Sequence, residues 1–404
     1  MKLHNTNVIS FSGPWADIAT QCDALGPELA AELLRRVQLR EPFVCAALPR
    51  ARYAGGGFAL LSALRAQHTL SDPLDNPDAL DAPATAWMLP YEWLAQRARR
   101  HAGLAAGSQP VAAAHGLHFA QVEHIAASAG ATTTPRAPGA PDLSGSAPPQ
   151  YRSALQRIRQ AIARGDVYQV NLTRSRSYRT DRAQVLQLWL HALAQFRPAF
   201  AQLWYDGHTL IACLSPEELW SCDGSSLVTA PIKGTALHKR QELLTEKNRA
   251  EHTMIVDLER NDLHRICLPG TVQVPRLAEP TAYGGVEHLV SLVQGRLRPG
   301  ITLAQLIDAL APGGSVTGAP KLAAIDYIRK LERQPRGIYC GALALTLETS
   351  PYRGLAALPI RTAQWHRGWM RYGSGGGITI DSDADTEYRE LLRKQYWLQG
   401  AVHG

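Results

Sequence analysis

This sequence has few cysteines and no paired cysteine motif. No two of its six cysteines form a Cys-x-x-Cys pair, and none joins a histidine cluster with zinc spacing. A disulfide scaffold and a zinc-ribbon module are therefore not indicated. We expect all six to be buried thiols of a protein in a reducing compartment: Cys22, Cys45, Cys213, Cys222, Cys267 and Cys340.

The sequence also lacks long apolar runs. No stretch reaches the roughly 18 consecutive apolar residues that a membrane-spanning helix needs. The segment from Met1 to Trp15 has a single lysine and no continuous apolar stretch, so it does not have the pattern of a secretory signal peptide. The sequence predicts neither a membrane span nor secretion, and we expect a cytoplasmic protein.

A concentrated positive charge is absent as well. Lys and Arg number 42 against 35 Asp and Glu, a formal net charge of +7, but the arginines are scattered and form no basic block interleaved with aromatic residues. This distribution disfavours nucleic acid and is consistent with a small anionic substrate. The composition, 45% hydrophobic and 19% charged, is that of a globular chain long enough for one large or two medium domains.

A change of composition divides the chain. Residues 126–150 are rich in Ala, Thr, Pro, Gly and Ser and cannot bury enough apolar surface to order themselves. We therefore expect a flexible linker or loop there, between an N-terminal subdomain at 1–125 and a catalytic domain at 151–404. Helices are predicted in the N-terminal part at Ala30–Leu39 and Tyr91–Arg100.

The middle of the chain predicts antiparallel strands that lead to one lysine. Two Asp-Gly dipeptides, Asp206-Gly207 and Asp223-Gly224, are flanked by apolar runs and predict hairpins. The alternating residues 226–229 predict a strand, so Lys233, between a proline and a glycine, should lie at a strand end. The local sequence by itself favours a solvated turn residue at this position.

A glycine-rich loop opens a helix farther along the chain. Helices are predicted at 239–266 and 302–310, and the loop from Pro312 to Lys321 leads into a third helix. Backbone N–H groups at such a helix start can bind an anion. Gly318 is followed by Ala319-Pro320 rather than Lys-Ser/Thr, so the loop is not a nucleotide P-loop. A carboxylate, a lone phosphate or no ligand at all remain open.

Three glutamates could form an oxygen-only metal site. The loop Gly373–Gly377 lacks the dinucleotide-binding fingerprint and precedes a final helix from about Ala384. Glu387 and Glu390 on that helix are three residues apart and share a face. Together with Glu251 they would suit Mg²⁺, which prefers carboxylates and water. Carboxylates at this spacing are also common on solvated surfaces.

A glutamate and the lysine could act together. Glu217 lies on the predicted meander upstream of Lys233. If both enter one cleft, burial can raise the pKa of the acid and lower that of the amine. Such a pair would provide a general acid and a nucleophile.

Nine segments of the chain resemble those of the chorismate-utilising enzymes. The resemblance covers residues 151–400 and is weak before them. It rests on nine segments that occur in the same order: GDVYQVNLT (165–173), SPEELW (215–220), TAPIKGT (229–235), RAEHTMIVDLERNDLHRIC (249–267), VEHLVS (286–291), PGGSVTGAPKLAAIDYI (312–328), GIYCGALAL (337–345), IRTA (360–363) and SGGGITIDSDADTEYRELLRK (374–394). It implies an α/β (α+β) fold of two packed subdomains with large antiparallel sheets and outer helices.

The lysine distinguishes branches of that family. Anthranilate synthase component I carries alanine where this chain has Lys233, whereas aminodeoxychorismate synthase component I carries lysine in Pro-Ile-Lys-Gly-Thr. The resemblance thus implies conversion of chorismate and ammonia to 4-amino-4-deoxychorismate, the precursor of 4-aminobenzoate in folate synthesis. A separate glutaminase subunit would supply the ammonia. Alternatives are an anthranilate synthase, an isochorismate- or salicylate-forming enzyme, and a non-catalytic ligand-binding subunit.

The resemblance also implies roles for individual residues. Lys233 would attack ring carbon 2 of chorismate, Glu217 would protonate the leaving 4-hydroxyl, and His288 would face the 4-position. We expect desolvation or nearby positive charge to lower the pKa of Lys233. Glu251 and Glu390 would bind Mg²⁺, with Glu387 supporting through water. The substrate would be held by Ser315, Tyr339, Arg361, Gly376, Gly377 and Lys394.

Overall fold

The computed structural model describes most of the chain. It covers residues 27–47, 58–70, 84–105, 112–125, 145–196, 198, 200–237, 243–283, 286–349 and 352–395. The glycine triplet at 55–57, Cys22 and most of the expected linker, residues 126–144, lie outside these ranges.

Helices and strands alternate irregularly along the chain. The helices are α1 (Pro27–Leu39), α2 (Tyr91–His101), α3 (Pro149–Ala163), α4 (Arg182–Phe196), α5 (Glu246–His264), α6 (Leu303–Leu310), α7 (Gly314–Thr317), α8 (Lys321–Leu331) and α9 (Ala384–Arg393). The strands are β1 (Phe43–Ala47), β2 (Phe58–Leu70), β3 (Thr85–Leu89), β4 (Ala114–Ile125), β5 (Gln169–Arg179), β6 (Phe200–Tyr205), β7 (Thr209–Ser215), β8 (Glu218–Asp223), β9 (Ser226–Ala230), β10 (Ile232–Leu237), β11 (Gln273–Tyr283), β12 (Val286–Arg296), β13 (Gly318–Ala319), β14 (Ala342–Thr349), β15 (Tyr352–Ala357), β16 (Thr362–His366) and β17 (Trp369–Ile378).

The described strands pair only in the antiparallel sense. Neighbours follow the order β13, β5, β17, β16, β7, β6, β1, β2, β4, β3, β14, β15, β8, β9 and β12. β10 continues beside β12 after β9, and β11 covers the opposite edge of β12. The prediction of large antiparallel sheets is confirmed.

The sheet folds over so that its two halves face each other. Trp204 and Ile211 of β6 and β7 pack in one apolar cluster with Leu343 and Leu355 of β14 and β15. Helices cover the outer faces: Leu33 of α1 and Trp189 of α4 belong to a cluster on the β6–β7 side, and α2, α5, α6 and α8 contribute to the largest cluster. Burying apolar surface on both faces of each layer is the main source of stability in such an arrangement. The predicted fold class is confirmed.

Residues 1–125 and residues 151–404 both contribute strands to each half of this sheet. β1 pairs with β6, and β3 pairs with β14. The division into subdomains 1–125 and 151–404 stays a prediction. The five described cysteines are free and buried, and no described helix is long and apolar enough to cross a membrane.

Several local predictions agree with the structure. Asp206-Gly207 and Asp223-Gly224 form the hairpin turns β6–β7 and β8–β9, with positive φ at both glycines. α6 begins at a capping box formed by Thr302 and Gln305. The long helix predicted at 239–266 corresponds to α5, which begins later than predicted, at Glu246 after the N-cap Thr245. Residues 239–242 of the predicted range lie outside the described residues.

The glycine-rich segment Gly373–Gly377 is not a loop, so that prediction is wrong. It lies inside β17 and pairs residue by residue with β5. Glycine weakens a strand by itself, but the Tyr339 ring packs against this backbone, where a Cβ at position 373 would lie 2.6 Å from Tyr339 Cγ. Close packing requires glycine here, although its propensity favours a turn.

Candidate active site

Lys233 lies within β10 and points inward. Its Nζ is 3.0 Å from Glu251 Oε2 on α5, and the two side chains are only 16% and 14% exposed. The strand is held by antiparallel pairing to β12, with a bulge just after the lysine where Gly234 has φ of 68°. Lys233 is therefore not a solvated turn residue.

Glu217 is buried at the turn between β7 and β8. It is 4% exposed, and the Ser315 hydroxyl donates a 2.6 Å hydrogen bond to its Oε1. Burial raises the pKa of Glu217 to about 8, because the Ser315 hydrogen bond and the Lys233 charge oppose desolvation only in part. The carboxyl group therefore holds a proton at neutral pH, as a general acid must.

The turn geometry around Glu217 is fixed by hydrogen bonds. The Ser215 hydroxyl accepts from the Glu217 N–H at 3.0 Å and donates to the Leu358 carbonyl at 2.6 Å. Leu358 N–H in turn donates to the Glu217 carbonyl at 3.2 Å. The side chain is thus held between the two halves of the sheet.

A second buried carboxyl, Glu259 of α5, lies next to this group. Burial and the charge of Asp262 raise its pKa to about 7, and its charge contributes to raising the pKa of Glu217. Within the described part of the chain, its Oε2 has no hydrogen-bond partner. One sequence signal points to this burial: Glu259 is four residues from both Ile255 and Leu263, two apolar residues, and so shares their helical face.

His288 is a neutral hydrogen-bonding group. Its Nδ1 is 2.7 Å from the Gly234 carbonyl and its Nε2 is 3.1 Å from Arg361 Nη2. Nδ1 therefore carries the proton and Nε2 accepts from the guanidinium. Burial, with the charges of Arg361 and Lys394, lowers the pKa of His288 to about 3. The imidazole orients Arg361, whose backbone is in the left-handed region at φ 50°, a strained conformation often found at functional sites.

The glycine segment of β17 contacts both lysines of the site. Lys394 Nζ donates to the Gly375 carbonyl at 2.8 Å. A Cβ at Gly376 would lie 3.5 Å from Glu387 Oε2 and 3.8 Å from Lys394 Nζ, and one at Gly377 would lie 2.9 Å from Lys233 Nζ. The structure thus gathers Lys233, Lys394 and the buried Glu387 along this short length of backbone.

The three glutamates expected to bind a metal each have a protein partner. Glu251 pairs with Lys233 and Glu390 with Lys394 at 2.8 Å, while Glu387 Oε1 accepts from the Ser382 hydroxyl at 2.7 Å. Among the described residues, no group of three or more His, Cys, Asp or Glu is arranged to hold a metal ion. The donors have the chemistry that Mg²⁺ prefers, but their arrangement does not form a ligand cluster.

Gln169 is a site residue that the sequence analysis did not identify. It begins β5, where residues 169–173 are all buried despite alternating polar and apolar character. Its neighbour Asn171 donates to the Val316 carbonyl at 3.0 Å. The polar residues at the start of this strand, Gln169 and Asn171, are therefore buried, which the alternation alone could not distinguish from a half-exposed strand.

Known proteins resemble this chain in sequence and in structure. Aminodeoxychorismate synthase component 1 of Salmonella typhimurium is 35% identical over 61% of this chain and 56% of its own length. Anthranilate synthase component 1 of Streptomyces coelicolor is 37% identical over 63% of this chain and 51% of its own length. The chain thus spans about half the length of these curated relatives. Anthranilate synthase component I from Streptococcus pneumoniae superimposes with a TM-score of 0.66 at 20% identity, covering 85% of this chain and 91% of the other, which shows a shared fold.

The family match extends over nearly the whole chain. Residues 5–399 match the chorismate binding enzymes, a range that includes the N-terminal part where the segment resemblance was weak. This range includes the buried Glu217, the inward-pointing Lys233 and the glycine segment of β17. This chain is a member of the chorismate binding enzyme family.

Proposed function

We propose that this chain is the synthase component of an aminodeoxychorismate synthase, which converts chorismate and ammonia to 4-amino-4-deoxychorismate. Family membership supports chorismate as substrate. Relatives named aminodeoxychorismate synthase component 1 from Salmonella typhimurium, Bacillus subtilis and Escherichia coli, 35%, 36% and 35% identical, support this branch. The observation that carries the proposal is the inward placement of Lys233 beside Glu251.

The first step breaks the bond from carbon 4 to the hydroxyl. Lys233 leaves its ion pair with Glu251 and releases a proton to solvent. Its Nζ then attacks ring carbon 2, and both ring double bonds shift, from carbons 1 and 2 to carbons 1 and 6 and from carbons 5 and 6 to carbons 4 and 5, as the hydroxyl leaves carbon 4. The proton on Glu217 passes to the departing hydroxyl, which leaves as water. The raised pKa of Glu217, about 8, supplies that proton at neutral pH.

The second step reverses the displacement with a different nucleophile. Ammonia adds at carbon 4, both ring double bonds shift back, and the bond from carbon 2 to Lys233 breaks so that the lysine leaves as an amine. The proton lost by the new amino group returns to the Glu217 carboxylate. Two displacements with a covalent intermediate replace one difficult substitution, and the net products are 4-amino-4-deoxychorismate and water.

Basic groups and backbone amides would hold the substrate carboxylates. Arg361, oriented by neutral His288, presents a fork that suits a carboxylate. Ser315, Tyr339, Gly376, Gly377 and Lys394 complete the proposed binding surface. Tyr339 is 7% exposed and lies under the glycine strand, so we assign it a role in shaping that surface.

Mg²⁺ is the proposed cofactor, with Glu251 and Glu390 as ligands and Glu387 acting through water. When bound, the ion would neutralise a substrate carboxylate. Both direct ligands would first have to leave their lysine partners. A separate glutaminase subunit is the proposed source of ammonia, in accordance with the name "component 1" of the relatives.

Anthranilate synthase is the second candidate function, because a relative of that name is 37% identical. That reaction would release pyruvate and would not need a covalent lysine. An isochorismate-forming reaction, with water in place of ammonia, is the third. Products formed from chorismate, Mg²⁺ and ammonium salt distinguish these three reactions.

Lys233→Ala tests the proposal. We expect the wild-type chain to form aminodeoxychorismate, which is detected as 4-aminobenzoate after addition of a lyase that converts one to the other. The variant should lose this activity by several orders of magnitude. Lys330→Ala, which removes an exposed lysine beside Tyr327, is the matched control and should keep full activity. Anthranilate with pyruvate as the wild-type product, or unchanged synthesis by Lys233→Ala, would contradict the proposal.

A further inference from the structure

We infer that Gln169 is a positioning residue of this site, whose carboxamide receives the amine of Lys233 from Glu251 and directs it at the substrate. The catalytic effect of Gln169 rests on the proposed function. The structural observation does not depend on that function: the Gln169 amide is buried near Lys233 and has no partner among the described residues.

The amide of Gln169 is buried and has no hydrogen-bond partner among the described residues. The residue is completely buried, and neither Oε1 nor Nε2 has a hydrogen-bond partner within the described part of the chain. A buried polar group without a partner is unfavourable in a folded protein, and such groups are rare unless they have a function. Other polar residues at this end of β5 are satisfied, since Asn171 binds the Val316 carbonyl.

The side chains of Gln169 and Lys233 both end near Gly377. A Cβ at Gly377 would lie 2.8 Å from Gln169 Cδ and 2.9 Å from Lys233 Nζ, and closer still to Gln169 Nε2. The carboxamide and the ammonium group therefore lie over the same glycine. Only a residue without a side chain at position 377 leaves room for both.

The backbone holds Gln169 on two sides. β5 pairs with β17 through Val170 and Ile378, and with β13 through Gln169 and Ala319. A Cβ at Gly318, whose φ is 133°, would overlap the Gln169 carbonyl oxygen. Because both neighbours are strand backbone, the direction of the Gln169 side chain is set by the fold and not by a flexible loop.

An amide suits the reactive form of lysine better than a carboxylate does. Glu251 is negatively charged and favours the ammonium. A carboxamide is neutral, presents one acceptor and two donors, and can accept an N–H from the amine without favouring its charge. Gln169 thus offers the Lys233 amine a hydrogen-bond acceptor at a fixed position in the site.

The test compares Gln169→Met with Gln202→Met in the full-length chain. Met has a similar length and no amide. Gln202 is also completely buried, but its amide donates to the Leu343 carbonyl and accepts from Trp204 Nε1. We expect Gln169→Met to keep or raise the melting temperature, since no protein hydrogen bond is lost, and Gln202→Met to lower it. A purely structural role for Gln169 predicts a lower melting temperature for both.

Activity and lysine reactivity complete the test. Because small misplacements of a reacting group cost about 100-fold, we expect kcat of Gln169→Met to fall by roughly 10- to 100-fold with KM little changed. Labelling of Lys233 by trinitrobenzenesulfonate, followed by peptide mass spectrometry, should slow in Gln169→Met and not in Gln202→Met.

The outcomes separate the inference from the proposed function. Aminodeoxychorismate synthesis that is the same in wild type and Gln169→Met overturns the inference and leaves the function intact. A wild-type chain that forms no aminodeoxychorismate, with Lys233 labelling still dependent on Gln169, overturns the function and supports the inference. Labelling that does not respond to Gln169→Met overturns the inference in either case.

Discussion

Arg336 is expected to be the most costly arginine to remove from the part of the chain described by the structure. It is 3% exposed and joins four parts of the fold. Its guanidinium binds Glu332 at 2.7 and 2.9 Å, the Val316 carbonyl at 2.6 Å and the Asn171 carbonyl at 2.8 Å. It also stacks on the Tyr91 ring at 4.4 Å.

Replacing Arg336 by Ala would leave a buried carboxylate and two buried carbonyls without this donor. The side chain of Glu332 is 7% exposed, and its remaining partner is the Thr173 N–H at 2.8 Å. Breaking a buried ion pair from one side costs about 3–5 kcal/mol. Since whole domains are stable by only about 5–15 kcal/mol, we expect Arg336→Ala to lose a large fraction of the free energy of unfolding.

Urea denaturation measures this loss as a lower midpoint at unchanged slope. Arg336→Lys should recover only part of it, because an ammonium cannot reproduce the planar fork. Arg260→Ala is the control: this exposed arginine pairs with Asp257 on the same helix, and such a pair contributes about 0–1 kcal/mol. A loss below about 1 kcal/mol in Arg336→Ala would refute the role given to this buried pair.

Two further predictions concern the site itself. The folded pKa values of Glu217 and Glu259, about 8 and about 7, lie above the ordinary value of 4.5; the folded state therefore binds more protons, and its stability should fall as pH rises from about 5 to 8. Denaturation midpoints across that range should fall less steeply in Glu259→Gln, and equal slopes would contradict the assigned burial. Gly377→Ala should place a methyl group against Gln169 and Lys233, costing about 1–3 kcal/mol and most of the activity. Gly145→Ala is its stability control, since a Cβ there would have no neighbour closer than 3.9 Å and its φ lies outside the left-handed region. A fully active Gly377→Ala would show that the contact is not tight.

Local patterns in the sequence were sufficient for much of the secondary structure. The Asp-Gly hairpin turns and the helices α1, α2 and α6 each depend on residues within a few positions of one another. The ordered segments from 165 to 394 likewise indicated the family, because a set of motifs carries information that no single motif has.

The site depended on contacts between distant parts of the chain. Whether Lys233 faced solvent or Glu251, and whether the polar residues of β5 faced outward or inward, was undetermined by alternation, since a strand pattern does not say which face is covered. The glycines of 373–377 favoured a loop on propensity, and only pairing with β5 and packing against Tyr339 made them a strand. Sequence determined which groups were available and roughly where each element lay. Tertiary packing determined which groups were desolvated and which met, because burial and contact depend on residues far apart in the chain.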